Sequence, residues 1–330
     1  MARIEYIDIT RGLAMLLVIL GHCNMFIDAP LNKFILSFHM PLFFFISGIF
    51  AKSTSNKELF WGGVWDKIQT LLLPQVLVII IGLVKPVIQY SFQKTPFDLK
   101  LLDPFAWNVW FLPVLFICSI IYMSISLIID MNKSNNKLLL LLTMIICIPL
   151  SIWANRFSFT GFIHCLQIVP TAMAFYLSGN ILKPLLMRIE QTKSIQMSIL
   201  AFISISICFI TSLVNTPVMM YANDYGNYLL FLICSILGCF FTIYISLFIK
   251  GTKLLEYVGT KSIAFYVWQG AISSFSLSIS YRFVSKLLQV TNTNAISLLA
   301  FSISMMTLLV IVTLTSSMCP QIYGKKHFEH

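Results

Sequence analysis

The sequence predicts an all-α integral membrane protein, a bundle of about ten transmembrane helices with both termini in the cytoplasm. Three observations predict it. Apolar residues make up 58% of the 330-residue chain and charged residues only 10%, far less charge than a soluble surface of this size carries. Runs of nearly twenty apolar residues recur from end to end, the length a helix needs to cross the hydrocarbon core. The net charge of +10 is spread one to three cations at a time between those runs, as membrane topology requires, so no nucleic-acid partner is expected.

The predicted spans are roughly 7–27, 33–51, 67–91, 105–129, 137–153, 161–182, 195–214, 227–249, 260–281 and 295–318. The first is not a signal peptide: Arg11 sits in its first turn, acids precede it and no small-residue cleavage site follows. The second carries FHMPLFFFISG, and the third follows Asp66 and begins with Lys67 and Gln69. Trp107, Asn108 and Trp110 open the fourth, and His164 lies a few residues into the sixth. Pro41, Pro74, Pro113, Pro149 and Pro170 fall inside spans, where packed membrane helices tolerate them. Serine-rich pieces such as SISISICF and SSFSLSIS still read as helices whose hydroxyls bond back to their own backbone. No internal repeat is visible, and no polar stretch is long enough for a soluble domain, so residues 1–330 are expected to form one membrane domain.

With the N-terminus inside, fourteen Lys and Arg fall on inner segments and six on outer ones. That asymmetry places both termini in the cytoplasm and makes the chain a multi-pass protein of the plasma (inner) membrane. The eight cysteines lie in or beside apolar runs with no CxxC pair. They read as small buried hydrophobes, and no metal site is expected.

Arg11 and His22 are eleven residues apart on the first span, about 20° from eclipsed with a rise of roughly 16 Å. Asp8, one turn before Arg11, is placed to pair with the guanidinium. Either residue taken alone has a plain reading, Arg11 as a snorkelling anchor and His22 as a polar contact between helices. On one stripe they point to a cavity or a partner. His22, about five residues from the outer end of span one, and His39, about six from that of span two, should share a depth. Pro41 leaves the carbonyl of Ser37 without its helical donor. His164, Lys85, Trp107, Asn108 and Trp110 are expected toward the same side. They suggest a polar outer pocket with aromatic faces for a sugar, although an interfacial tryptophan belt would look the same. At the inner mouth, Arg11 and Lys67 suit a phosphate, and Lys67 also suits plain topology.

Arg11 and His22 with their ten intervening residues, then SFHMPLFFFISG, WFLPVLF and LLEYVGTKSIAFYVWQ, resemble acyltransferase family 3 of bacterial membrane proteins, in the form of its fucose 4-O-acetylase-like branch. The resemblance covers nearly the whole chain. It implies a ten-helix bundle that moves an acyl group, commonly acetyl, from cytoplasmic acyl-CoA to a hydroxyl of a glycan or lipid-linked sugar. It maps acyl-CoA binding to Arg11 and catalysis to His22. Two features depart from the family pattern. Lys67 and Gln69 stand where arginines often begin span three, and Gln269 follows Tyr266 where the family usually has histidine.

The expected enzyme is therefore an O-acyltransferase using acetyl-CoA and no metal. CoA phosphates would lie near Arg11, Lys67 and Gln69. The pantetheine arm would pass Met15 and Val18, and His22 would act as general base on the acceptor hydroxyl. His39 would orient His22 or hold the acceptor, together with Trp107, Asn108, Trp110 and His164. Two alternatives stand beside it: a flippase or transporter of a lipid-linked sugar or polysaccharide, and a scaffold in a glycan-synthesis complex.

Overall fold

The computed structural model describes residues 4–23, 29–93, 110–132, 136–157, 159, 161–189, 194–287 and 293–323. Every extended element among them is a helix: α1 (Glu5–His22), α2 (Pro30–Ile49), α3 (Lys57–Lys67), α4 (Leu73–Gln93), α5 (Phe111–Asn132), α6 (Asn136–Ala154), α7 (Gly161–Ile189), α8 (Ile195–Val214), α9 (Tyr228–Ser246), α10 (Lys253–Thr260), α11 (Ser262–Tyr281) and α12 (Thr293–Met318). Among the described residues, eight helical stretches are long and apolar enough to cross a membrane. The chain is thus a multi-pass membrane protein by length and composition. Helices also occupy the predicted first and ninth spans, but these fall short of that standard. Glu5, Asp8 and Arg11 load α1 with charge, and six serines and Gln269 dilute α11.

Several boundaries differ from expectation. The first helix ends at His22 and not near residue 27. Cys23 leaves helical geometry, and its amide is shared between the carbonyls of Ile19 and Leu20, the tightened last turn usual at a helix end. The third predicted span starts ten residues early, at Lys57, where the Asn56 side chain caps the amide of Leu59. Lys67 and Gln69 therefore lie mid-helix. Gln69 belongs to a π-helical stretch, Ile68–Leu72, just before Pro74, which has no N–H to give an α-helical ladder. The ninth span is preceded by a separate short helix, α10.

The chain divides into two compact units: Met1–Phe43, Arg188–Met219 and Tyr225–Met318 form the first, and Phe44–Met187, Met220–Asp224 and Cys319–His330 the second. In the first unit Phe38 packs with Cys208 and Cys234. The carbonyl of Ser37, freed by Pro41, does not stay free: the Ser235 hydroxyl donates to it at 2.8 Å. The α8–α9 connection is pinned by buried Asn215, which accepts from the amides of Thr216 and Asn227 and donates to the carbonyl of Tyr225. Gly226 turns there at φ +58°, a conformation costly for other residues. In the second unit α2 and α7 meet through paired glycines. A Cβ on Gly48 would lie 1.8 Å from the carbonyl oxygen of Tyr176, and one on Gly179 1.9 Å from that of Phe45. Seven cysteines are buried as expected, whereas Cys319 is exposed.

Candidate functional site

The site residues of the first unit lie at the two ends of α1. Near its start Asp8 is buried, and its Oδ1 lies 3.4 Å from Nη1 of Arg11. The predicted one-turn pair is therefore formed, with the arginine side chain 27% exposed. Thr10 locks the same turn, donating to the carbonyl of Tyr6 at 2.7 Å and meeting Ser246 at 2.9 Å.

The turn is also clamped from outside. A Cβ on Gly12 would sit 2.2 Å from the carbonyl oxygen of Leu255, and one on Gly259 1.8 Å from that of Asp8. The LLEYVGTKS segment thus forms α10 and the turn after it, laid against the backbone of Asp8 and Gly12. Further cations gather there. Lys250 stands 5.7 Å over the Tyr6 ring and Lys261 4.8 Å over that of Tyr257. The Glu5 carboxylate accepts from the amide of Gly251 at 2.6 Å. Sequence reasoning counted Lys250 and Lys261 only toward topology. Their closeness to the start of α1 depends on the glycine contacts, which spacing does not reveal.

At the other end of α1, His22 is the last helical residue and its side chain is exposed. Cys23 beside it is buried and meets the hydroxyl of Ser304 at 3.3 Å. This contact holds the last turn against α12. His39 is buried, and its Nδ1 lies 2.7 Å from the carbonyl oxygen of Ile35. A carbonyl only accepts, so Nδ1 carries the proton and the Nε2 lone pair of neutral His39 is left available. His22 and His39 both belong to the first unit. No hydrogen bond orients His22 among the described residues.

The stripe joining Arg11 to His22 is closed. Met15 is 1% and Val18 4% exposed, so the expected passage along them is packed shut, with open surface at either end only. The cause is the core of this unit: α9, α10, α11 and α12 all contact α1.

The remaining predicted residues belong to the second unit. Lys67 and Gln69 are half-buried, Gln69 on the π-helical stretch. Trp110 is buried, 6.2 Å from the ring of Phe44 and 6.0 Å from that of Phe111. His164 directs Nε2 at the carbonyl of Tyr221, 2.5 Å away. Trp107 and Asn108 lie outside the described residues. Gln269, in the first unit, is buried, and its Oε1 has no hydrogen-bond partner among the described residues. Among those residues no group of three or more His, Cys, Asp or Glu is placed to hold a metal ion.

Comparison with known proteins gives two matches. A family model described as an acyltransferase domain, that of acyltransferase family 3, covers residues 4–316. Nodulation protein NolL of Sinorhizobium fredii (strain NBRC 101917 / NGR234) is 36% identical over 78 residues, 21% of this chain and 21% of NolL. The alignment thus spans about a fifth of that relative's length. No solved structure gives a significant match. With the family model matched from Ile4 almost to the end of α12, the chain belongs to acyltransferase family 3.

Proposed function

We propose that the protein is an O-acyltransferase that moves an acyl group, acetyl first among the candidates, from cytoplasmic acyl-CoA to a hydroxyl of a cell-surface or lipid-linked glycan. The observation that carries the assignment is the end of α1: an exposed imidazole at its last helical residue, with a second imidazole of fixed tautomer in the same unit, in a chain of this family. All ten predicted spans cross the inner membrane in this reading, including α1 and α11, with both termini inside.

His22 takes the proton of the acceptor hydroxyl as its oxygen attacks the thioester carbonyl. The tetrahedral intermediate collapses, the carbon–sulfur bond breaks, and the imidazolium returns a proton to the CoA thiolate. His39, with Nδ1–H fixed on Ile35, offers Nε2 as an acceptor to an N–H of His22 or to the incoming hydroxyl. Arg11 holds phosphate at the opposite end of α1, supported by Lys250 and Lys261 of the same unit. Since Met15 and Val18 are packed, the pantetheine arm has to part them or pass beside them. Lys67 and Gln69 are further candidates for the donor, and Trp110 and His164 for the acceptor; each is testable by itself.

The test is mass spectrometry of surface glycan from cells with and without the protein, together with acetyl-CoA binding by the purified protein. An acyl-sized mass present only with the protein, and measurable CoA binding, support the reading. Glycan that is lost from the surface, not merely deacylated, with no CoA binding, would indicate a flippase.

A further inference from the structure

Within the second unit a cleft of about 220 Å³ opens between the end of α6 and the start of α7. Its walls are apolar and uncovered by protein, chiefly Leu150, Trp153, Phe157, Phe159, Ile163 and Leu166. One polar side chain lies among them. Gln167 is only 6% exposed, and its Nε2 donates to the carbonyls of Ala154, at 2.9 Å, and Phe157, at 2.6 Å. The Ala154 carbonyl also accepts from the amide of Phe157 at 3.2 Å, so the Gln167 amide ties down the turn that follows α6. Carbonyls only accept, so the amide cannot be reversed and the direction of Oε1 is fixed. That oxygen is buried and has no hydrogen-bond partner among the described residues. Buried acceptors are rarely left so. In the same turn after α6, Arg156 is exposed, and a cation beside tryptophan marks a lipid–water boundary.

We propose that this cleft is a specific phospholipid site, for a lipid whose headgroup brings an N–H or O–H donor next to its phosphate. The apolar walls take a segment of acyl chain, Gln167 Oε1 accepts from the headgroup donor, and Arg156 meets the phosphate. The volume favours a chain segment over a whole sugar nucleotide or CoA, because sites that enclose a complete small molecule run to roughly 300–1,000 Å³. α6 and α7 are both candidate spans, so their uncovered faces meet lipid, and the site needs no part of the acyl-transfer chemistry.

Trp153 in the cleft wall reports occupancy. The full-length protein is reconstituted in phosphatidylcholine vesicles containing increasing fractions of dibrominated phosphatidylethanolamine, phosphatidylglycerol or phosphatidylcholine. Quenching of the Trp153 component is read as the difference between the parent protein and W153F. The site predicts saturable quenching at a several-fold lower mole fraction of the two donor-bearing lipids, on the order of 5-fold for one hydrogen bond. The two arms separate an ammonium donor from a hydroxyl. Gln167→Met brings both curves to that of phosphatidylcholine, and Arg156→Gln weakens all three. Should Gln167→Met not fold, the headgroup comparison on the parent protein still decides. Linear quenching identical for all three lipids means ordinary bilayer contact and overturns the proposal. Protection that grows with protein density means a second copy covers the cleft, and overturns it too.

Discussion

The contact between α10 and α1 makes a prediction of unusual sign. Alanine for glycine inside a helix ordinarily stabilises by about 0.5–1 kcal/mol. At Gly259 the added Cβ would lie 1.8 Å from the carbonyl oxygen of Asp8, about 1.6 Å inside the shortest ordinary contact of 3.4 Å. The obstacle is helical backbone, not a flexible side-chain tip, so α10 itself must move. Overpacking of this kind costs about 1–3 kcal/mol, which exceeds the helix gain. Gly259→Ala should therefore lower the apparent melting temperature in detergent. Gly270→Ala, in α11 where nothing lies within 4 Å of the new Cβ, should raise it. Because Asp8 also holds Arg11, Gly259→Ala should weaken CoA binding as well, whereas Gly270→Ala should not. Melting temperatures that rise in both variants would refute the close approach and, with it, the clamp on the Arg11 turn.

Arg11→Ala removes charge-assisted hydrogen bonds to phosphate, worth roughly 10- to 100-fold in affinity; calorimetry of CoA binding should show the loss, and unchanged affinity would move the phosphate elsewhere. Ser235→Ala strips the donor from the Ser37 carbonyl and should cost about 1–3 kcal/mol. In a Pro41→Ala background, which restores a backbone donor, the same change should cost little, and a double-mutant cycle showing no coupling would contradict that account. Asn215→Ala removes three hydrogen bonds from a buried connection and should lower the apparent melting temperature by more than Ser235→Ala does. Lys67→Ala should reduce donor affinity if Lys67 serves the donor, and an unchanged value leaves it as a topology charge.

Much of the architecture was legible because hydrophobic length is written directly in the chain: each predicted span coincides with a helix. Ends were less legible. The α1 terminus at His22 is followed by Cys23 bonding to Ser304, a partner about 280 residues away in sequence. The early start at Lys57 shows that the hydropathy of span three masks a more polar lead-in capped by Asn56. Within the site, the Asp8–Arg11 pair follows from helical spacing and was readable. The packing of Met15 and Val18 was not, since a stripe between two polar residues looks the same whether it lines a channel or a core. Nor was the role of Gly259. A glycine in a short motif gives no sign of the backbone 250 residues away on which it rests.

The most direct test measures acyl transfer from labelled acetyl-CoA to glycan by reconstituted His22→Ala beside the parent protein, with insertion and melting temperature recorded for both. Transfer should fall by at least about 100-fold, as loss of a general base commonly requires, while the protein stays inserted and folded. Near-normal transfer by a well-folded His22→Ala would contradict the account at its centre.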